Sequence, residues 1–348
     1  MSTEEFSLDS FLDSPPVGID GFSGLDSGGT GEGGTDSWHE PEYSGEIDYR
    51  IRQLSYSSIL TLHSCPRKFQ LYKLRTTHRA EESVKSTVTF AFGHVVGEGI
   101  ALSLQGLSED EVIWKMFLGW HTDLFDQDEK LNKSFWQAVI AIKRFQSIRN
   151  SGALKDYELV YYNGAPACEL SFAINFPDGF RLRGFVDAVL RHRYSGKVLV
   201  LECKTTGSAT VNPASYKNSS QAIGYSIVLD AIFPDLSSYE VLYLVYNTKS
   251  GEYLPLPFEK TFLQRALWIR ELLLDIESIK MYEEAGVYPM HGESCYTFFR
   301  ECEYLNTCTL STEALTKPCT PEEEDKVDYQ ITLSLSDLLE AQFNKVDS

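Results

Sequence analysis

The chain has 348 residues, 43% of them apolar and 13% aromatic, enough for a packed core in one large or two small domains, and no run of about eighteen apolar residues reads as membrane-spanning. Its net charge of −19 argues against a nucleic-acid partner only until the charge is located. Twelve of the fifty acidic residues lie in 1–49 without one Lys or Arg, and nine more lie in 311–348 with three basic residues, which leaves twenty-nine acidic against twenty-eight basic residues in between.

The first 49 residues are Gly-rich as well as acidic, with Gly28-Gly29, Gly31 and Gly33-Gly34 among Ser, Thr and Asp, and read as a disordered tail. Phe6, Leu8, Phe11 and Leu12 within it are either a short docking motif or plain disordered chain. Residues 54–59 and 63–72 then carry an opening helical stretch with a Cys65-Pro66 step. Residues 91–100 look helical, with small residues that permit close packing, and hold His94. A neutral imidazole there can ligate a metal, although a lone His is more often structural. Residues 108–150 show apolar residues at helical spacing, and their aromatics, Trp114, Phe117, Phe135, Trp136 and Phe145, are expected in the core.

A strand is expected over 167–172, where Glu169 is either a further acidic contact or an ordinary strand-edge carboxylate. Next comes the most informative stretch. Gly184-Phe185-Val186-Asp187 continues apolar through Leu190, turns at Tyr194-Ser195-Gly196-Lys197, and returns through Val198–Leu201 into Glu202-Cys203-Lys204. This reads as a hairpin with a Gly-containing turn. Period-2 alternation puts Glu202 and Lys204 on one face and Cys203 on the other. Asp187 can then meet both at the hairpin's mouth, and two carboxylates beside one ammonium outline a divalent-metal hydrolysis site.

Asn218-Ser219-Ser220 supplies helix-capping residue types before Gln221 and Tyr225, which lie four apart on one helical face. A strand at 239–246 and an amphipathic helix from Leu263 to about Met281 follow. Cys168 and Cys203 sit in apolar runs and read as buried thiols, while Cys319 lies in the polar tail. Cys295, Cys302 and Cys308 fall within fourteen residues of a loop-rich segment and look like metal ligands. In the last, acidic segment, residues 331–335 with Leu338-Leu339 are a packing strand and helix or a partner peptide.

The order G-H, G-F-V-D, E-C-K, Q-x-x-x-Y resembles the RecB-like nucleases of the PD-(D/E)XK superfamily over roughly residues 54–310. The resemblance implies an α/β fold of restriction-endonuclease type, a central mixed sheet flanked by helices, with a helical insertion and a Cys-bound C-terminal segment. It divides the chain into an acidic tail (1–49), a nuclease domain (50–310) and a second acidic tail (311–348). It makes His94, Asp187 and Glu202 side-chain ligands of Mg²⁺ or Mn²⁺, with the Cys203 carbonyl as a further oxygen. Asp187, Glu202 and Lys204 become the catalytic set, Lys204 positioning or deprotonating the attacking water. Gln221 and Tyr225 hold the DNA backbone or brace the site.

In AddB-type and CRISPR-associated members one upstream and three downstream cysteines hold a 4Fe–4S cluster, and Cys65, Cys295, Cys302 and Cys308 resemble that set. The spacing here is C-x6-C-x5-C where the common form is C-x2-C-x5-C, with Phe299 at the departing position. Zinc is the alternative. The activity implied is exonuclease action on single-stranded DNA or DNA ends in recombination, repair or phage DNA processing. A non-catalytic DNA-end-binding adaptor and a CRISPR spacer-processing nuclease are the other readings. No G-x-x-x-x-G-K-[ST] occurs, so any helicase would be a partner, as a recombination protein would be. With no signal peptide, the chain is expected in the cytoplasm with its thiols reduced.

Overall fold

The computed structural model describes residues 50–74, 88–120, 132–208, 210–233, 239–297, 300–312 and 328–343. The N-terminal tail with Phe6, Leu8, Phe11 and Leu12, and also Phe299 and Cys319, lie outside them. A short strand β1 (Gln53–Leu54) leads into helix α1 (Tyr56–Ser64), opened by a reciprocal cap in which Ser55 Oγ accepts from Ser58 N–H and Ser58 Oγ from Ser55 N–H. Extended Cys65 ends α1 and Pro66 starts α2 (Pro66–Lys73), as expected of Pro, whose missing N–H costs nothing in a first turn. The opening stretch is therefore two helices broken at the Cys-Pro step.

Helices α3 (Val88–Leu104), α4 (Glu109–Gly119) and α5 (Phe135–Ser151) follow. The last two start at Ser108 and Ser134, whose hydroxyls accept N–H groups of the first turn. Then come β2 (Tyr157–Leu159), β3 (Tyr161–Tyr162), β4 (Ala165–Pro166), β5 (Cys168–Asn175), β6 (Arg181–His192) and β7 (Val198–Thr206). A crossover through α6 (Ala214–Lys217) and α7 (Ser220–Val228) reaches β8 (Tyr239–Asn247), which turns back as β9 (Glu252–Lys260). Helix α8 (Phe262–Ala285) ends on Gly286 at φ +64°, a left-handed cap that suits Gly. The small pair β10 (Tyr296–Thr297) and β11 (Arg300–Glu301) precedes β12 (Ile331–Ser334) and α9 (Leu335–Phe343).

The main sheet runs β12-β5-β6-β7-β8-β9, with β1 and β2 also on β6. Strands β12/β5, β1/β6 and β7/β8 pair in parallel and the other neighbours antiparallel. Apolar side chains of α1, α7 and α8 cover one face and those of α3, α4 and α5 the other. This is the mixed α/β sheet flanked by helices that the sequence led us to expect. Of the two readings of residues 331–339, the strand and helix is the one found: β12 lies on β5, and Ile331 and Leu338 are buried.

One expectation fails. Phe135 and Phe145 are core residues, but Trp114, Phe117 and Trp136 are 60%, 44% and 73% exposed. Helical spacing locates a stripe, yet α4 and α5 each carry more large apolar residues than their buried stripe uses, so the surplus lies outside it.

Candidate active site

Strand β6 accompanies β7 only from Ala188 to Arg191, opposite Leu201 to Val198. N-terminal to that it follows β5, while β7 runs on beside β8 as far as Thr206. The two strands thus fork at Asp187. Cys203 N–H points into the fork and donates to Asp187 Oδ2 at 2.9 Å, so a carboxylate takes the place of a strand rung. At the same level the alternation of β6 breaks. Leu182 and Val186 pack on the α1/α7/α8 face, whereas Ala188 and Leu190 pack on the other.

Beyond the fork, Glu202 is fully buried on the face that Val198 and Val200 share. The Lys204 ammonium pairs with Glu202 Oε1 at 2.5 Å, and no hydrogen-bond donor among the described residues meets Glu202 Oε2. Burial pushes the Glu202 carboxyl up to about 8, the Asp187 charge adds to this, and Lys204 opposes it. Burial also raises Asp187, against the pull of Lys204 and the Cys203 N–H. Burial pulls the Lys204 ammonium down, but Glu202 and Asp187 together hold it above its ordinary value. The fork therefore buries two carboxyls whose charged forms one ammonium only partly offsets, in a place where charge is costly.

Three tyrosines wall the Glu202 side. Burial first, and then the Glu202 charge, holds the phenols of Tyr56, Tyr225 and Tyr243 above the usual range. Tyr56 fits because Gly184 and Gly224 lack side chains: a Cβ on Gly184 would meet Phe172 Cζ at 2.7 Å, and one on Gly224 would meet Tyr56 Cε1 at 2.7 Å. Tyr56 and Tyr225 meet edge to face at 5.5 Å. Gln221 and Tyr225 are both buried, and Gln221 Nε2 donates to Tyr225 Oη at 2.5 Å. The sequence did not single out Tyr56, although it stands in the opening segment. The slot that receives it is visible as the Gly of Q-A-I-G-Y and of G-F-V-D.

A profile of the PD-(D/E)XK nuclease superfamily matches residues 53–309. The chain belongs to the PD-(D/E)XK nuclease superfamily. No curated protein matches it. Nineteen chains of solved structures do, among them one titled "Crystal structure of SSO0001", 15% identical over 64% of this chain and 86% of that one, with a TM-score of 0.25. Membership makes it a nuclease, and PD-(D/E)XK nucleases use Mg²⁺ or Mn²⁺. The donor types suit such an ion, because hard divalent cations take carboxylate oxygens and the buried Glu202 Oε2 meets no hydrogen-bond donor among the described residues.

The other expected site residues of this PD-(D/E)XK chain are placed as follows. His94 is exposed on α3, one turn before Glu98, whose raised carboxyl owes its shift to burial, with His94 and Lys115 opposing. Glu169 lies opposite Asp187, flanked by the pairs Cys168↔Ala188 and Leu170↔Val186. Solvent reaches it, yet protein surrounds it closely enough that burial, then Asp187 and Glu202, push its carboxyl up to about 8. The Cys203 side chain packs on the α3 face, leaving its main chain at the fork. Among the described residues, no three His, Cys, Asp or Glu side chains stand close enough to share one metal ion.

The segments that carry the four cysteines are tied together by hydrogen bonds to main-chain carbonyls. The Ser64 carbonyl, just before Cys65, accepts from His291 Nδ1 at 2.9 Å and Ser294 Oγ at 2.7 Å. Arg67 Nε donates to the Cys308 carbonyl at 2.9 Å, and Cys302 N–H to the Cys295 carbonyl at 2.9 Å. Cys302 and Cys308 pack on buried Leu71 and Tyr304. All four thiols are free.

Proposed function

We propose that this nuclease is a DNA exonuclease acting on single strands or ends, in recombination, repair or phage DNA processing. The observation that carries the reading is the fork: Asp187 and a buried Glu202, ion-paired with Lys204, converge where β6 leaves β7. Asp187, Glu202, the Cys203 carbonyl and His94 would hold Mg²⁺ or Mn²⁺. The ion, when bound, supplies Lewis acidity and an easily deprotonated water. Lys204, kept protonated by its two carboxylates, orients the attacking water and offsets charge on the phosphate. Gln221 and Tyr225 brace the Glu202 wall, a role that suits their burial and mutual bond. A complete Asp187, Glu202 and Lys204 set favours cutting over a non-catalytic adaptor role.

Cys65, Cys295, Cys302 and Cys308 are proposed to hold a 4Fe–4S cluster that staples the two ends of the domain. Support comes from four reduced thiols on segments tied by bonds that cross over two hundred residues of sequence. Such thiols suit a reducing compartment such as the cytoplasm. With no nucleotide-binding P-loop in the chain, duplex opening falls to a partner helicase.

The test is purified protein with Mn²⁺ on end-labelled linear and on circular single-stranded DNA. A product ladder on the linear form and an intact circle are expected, and a cut circle overturns the exonuclease assignment. Anaerobic protein should be brown with about four irons per chain. Colourless protein with one zinc decides for the zinc alternative.

A further inference from the structure

Helix α8 turns Arg265, Trp268, Ile269, Leu272, Ile276 and Ile279 into the core. A helix between core and solvent is ordinarily polar on its other side. This one is not. Leu263, Leu267, Leu274 and Met281 are 65%, 47%, 67% and 57% exposed. Spacings of four, seven and seven residues put all four within about 20° of one line along the helix, a stripe about 27 Å long. Helix α1 runs beside α8, with His63 Nε2 2.7 Å from Asp275 Oδ1, and Leu60, one turn before His63, is exposed as well. A continuous apolar strip of this kind marks a contact surface. Its two flanks differ. At about 100° per residue, Arg270 and Glu277 lie on one flank, Glu271 and Ser278 on the other. Arg270 is exposed and forms no ion pair among the described residues, while Glu277 shares Lys280 with Asp178.

We propose that this stripe is the face on which two copies of the chain pair, α8 against α8, antiparallel about a two-fold axis at Leu274. In that register Leu274 meets its own copy, Leu267 meets Met281 of the second chain, and Leu263 meets the last turn near Ala285. A two-fold axis perpendicular to the helices keeps each flank on its own side. Arg270 therefore stands opposite Glu277 of the second chain, twice over, and Glu271 opposite Ser278. Parallel pairing would instead set Arg270 level with Arg270 and Glu277 level with Glu277. The antiparallel surface is complementary to itself in charge as well as in apolarity, as a contact between identical patches requires. The chain's own acidic tail fits less well. Residues 1–49 bring twelve acidic residues and no Lys or Arg to a strip already flanked by exposed Glu271, Glu277 and Glu284. One helix pair is a small interface, so the association is weak and depends on concentration.

Sedimentation velocity on the full chain, run at rising micromolar concentrations, reads the pairing. Wild type should pass from monomer to dimer and no further. Leu274→Glu should stay a monomer throughout and, at the lowest concentration, melt with wild type. Arg270→Glu and Glu277→Arg should each weaken the dimer about 10-fold or more, since each sets two like-charged pairs in the contact. The double variant Arg270→Glu/Glu277→Arg should return to within about threefold of wild type, because reversed pairs still attract. Wild type that is monomeric at every concentration overturns the proposal and leaves the strip to the acidic tail or another protein. A dimer that Leu274→Glu leaves intact overturns it too, by placing the contact elsewhere. A double variant as weak as the single ones overturns the antiparallel register.

Discussion

Asp187 has two roles that substitution can separate. Its charge would hold the proposed ion, and its Oδ2 accepts the Cys203 N–H. Asp187→Asn keeps an acceptor, whereas Asp187→Ala leaves a partly buried N–H unpaired, a loss of about 1–3 kcal/mol. Both should abolish metal-dependent cleavage, and only the Ala variant should lower the urea midpoint, which unfolding curves run beside the nuclease assay will check. Lys204→Ala removes the proposed water-orienting cation and should slow cleavage by about 10²–10⁴-fold in single-turnover assays. The raised Glu202 carboxyl also sets a stability window. Above an unfolded value near 4.5 the native state holds more protons than the unfolded chain, so metal-free stability falls as pH rises toward about 8 and levels off beyond it. The drop is on the order of a few kcal/mol, and in Glu202→Gln melts taken from pH 5 to pH 9 it should be shallower. Period-2 alternation made Glu202 and Lys204 legible in the sequence, because any strand there puts them on one face. The sequence offered Glu169 as an acidic contact or a strand-edge carboxylate, but no sequence signal marks its left-handed backbone.

At the level of elements, α1 and α7 meet through absent side chains. Gly184 and Gly224 admit the Tyr56 ring against the Glu202 wall. Gly224→Ala should overpack this contact and cost about 1–3 kcal/mol, measured by denaturant titration. Part of that should return in the Tyr56→Leu/Gly224→Ala double variant, which has no ring to collide with, and a strictly additive double variant would show that the contact does not matter. The long helices and β8 were readable from periodicity, α8 extending the expected 263–281 to Phe262–Ala285. What periodicity left unspecified is which side of a helix stays wet, as Trp114 and Trp136 illustrate. The Cys-Pro step was readable too, but not that Cys65 would serve as the joint between two helices.

Across the whole molecule, pairings between distant residues were the least legible. Nothing local says that β1 joins β6 across 128 positions or that β12 lies parallel to β5. The latter pairing covers the edge strand that carries Glu169, with Gln330 Oε1 accepting the Ser171 N–H at 3.0 Å. Removing residues 328–348 should bare that edge, lower the melting temperature and promote association, since an uncovered edge strand is a template for another chain. Calorimetry and light scattering on the truncated protein check this, and an unchanged melting temperature in a monomer would refute it. The same pairing has a consequence in time. Ile331 must find Phe172 across a separation of 159 positions, a slow closure. During synthesis the strand that bears Glu169 stays a sheet edge until residue 334 has left the ribosome. The newborn chain therefore carries the proposed cutting centre on an unfinished sheet, and cleavage competence is expected to be one of the last properties it acquires.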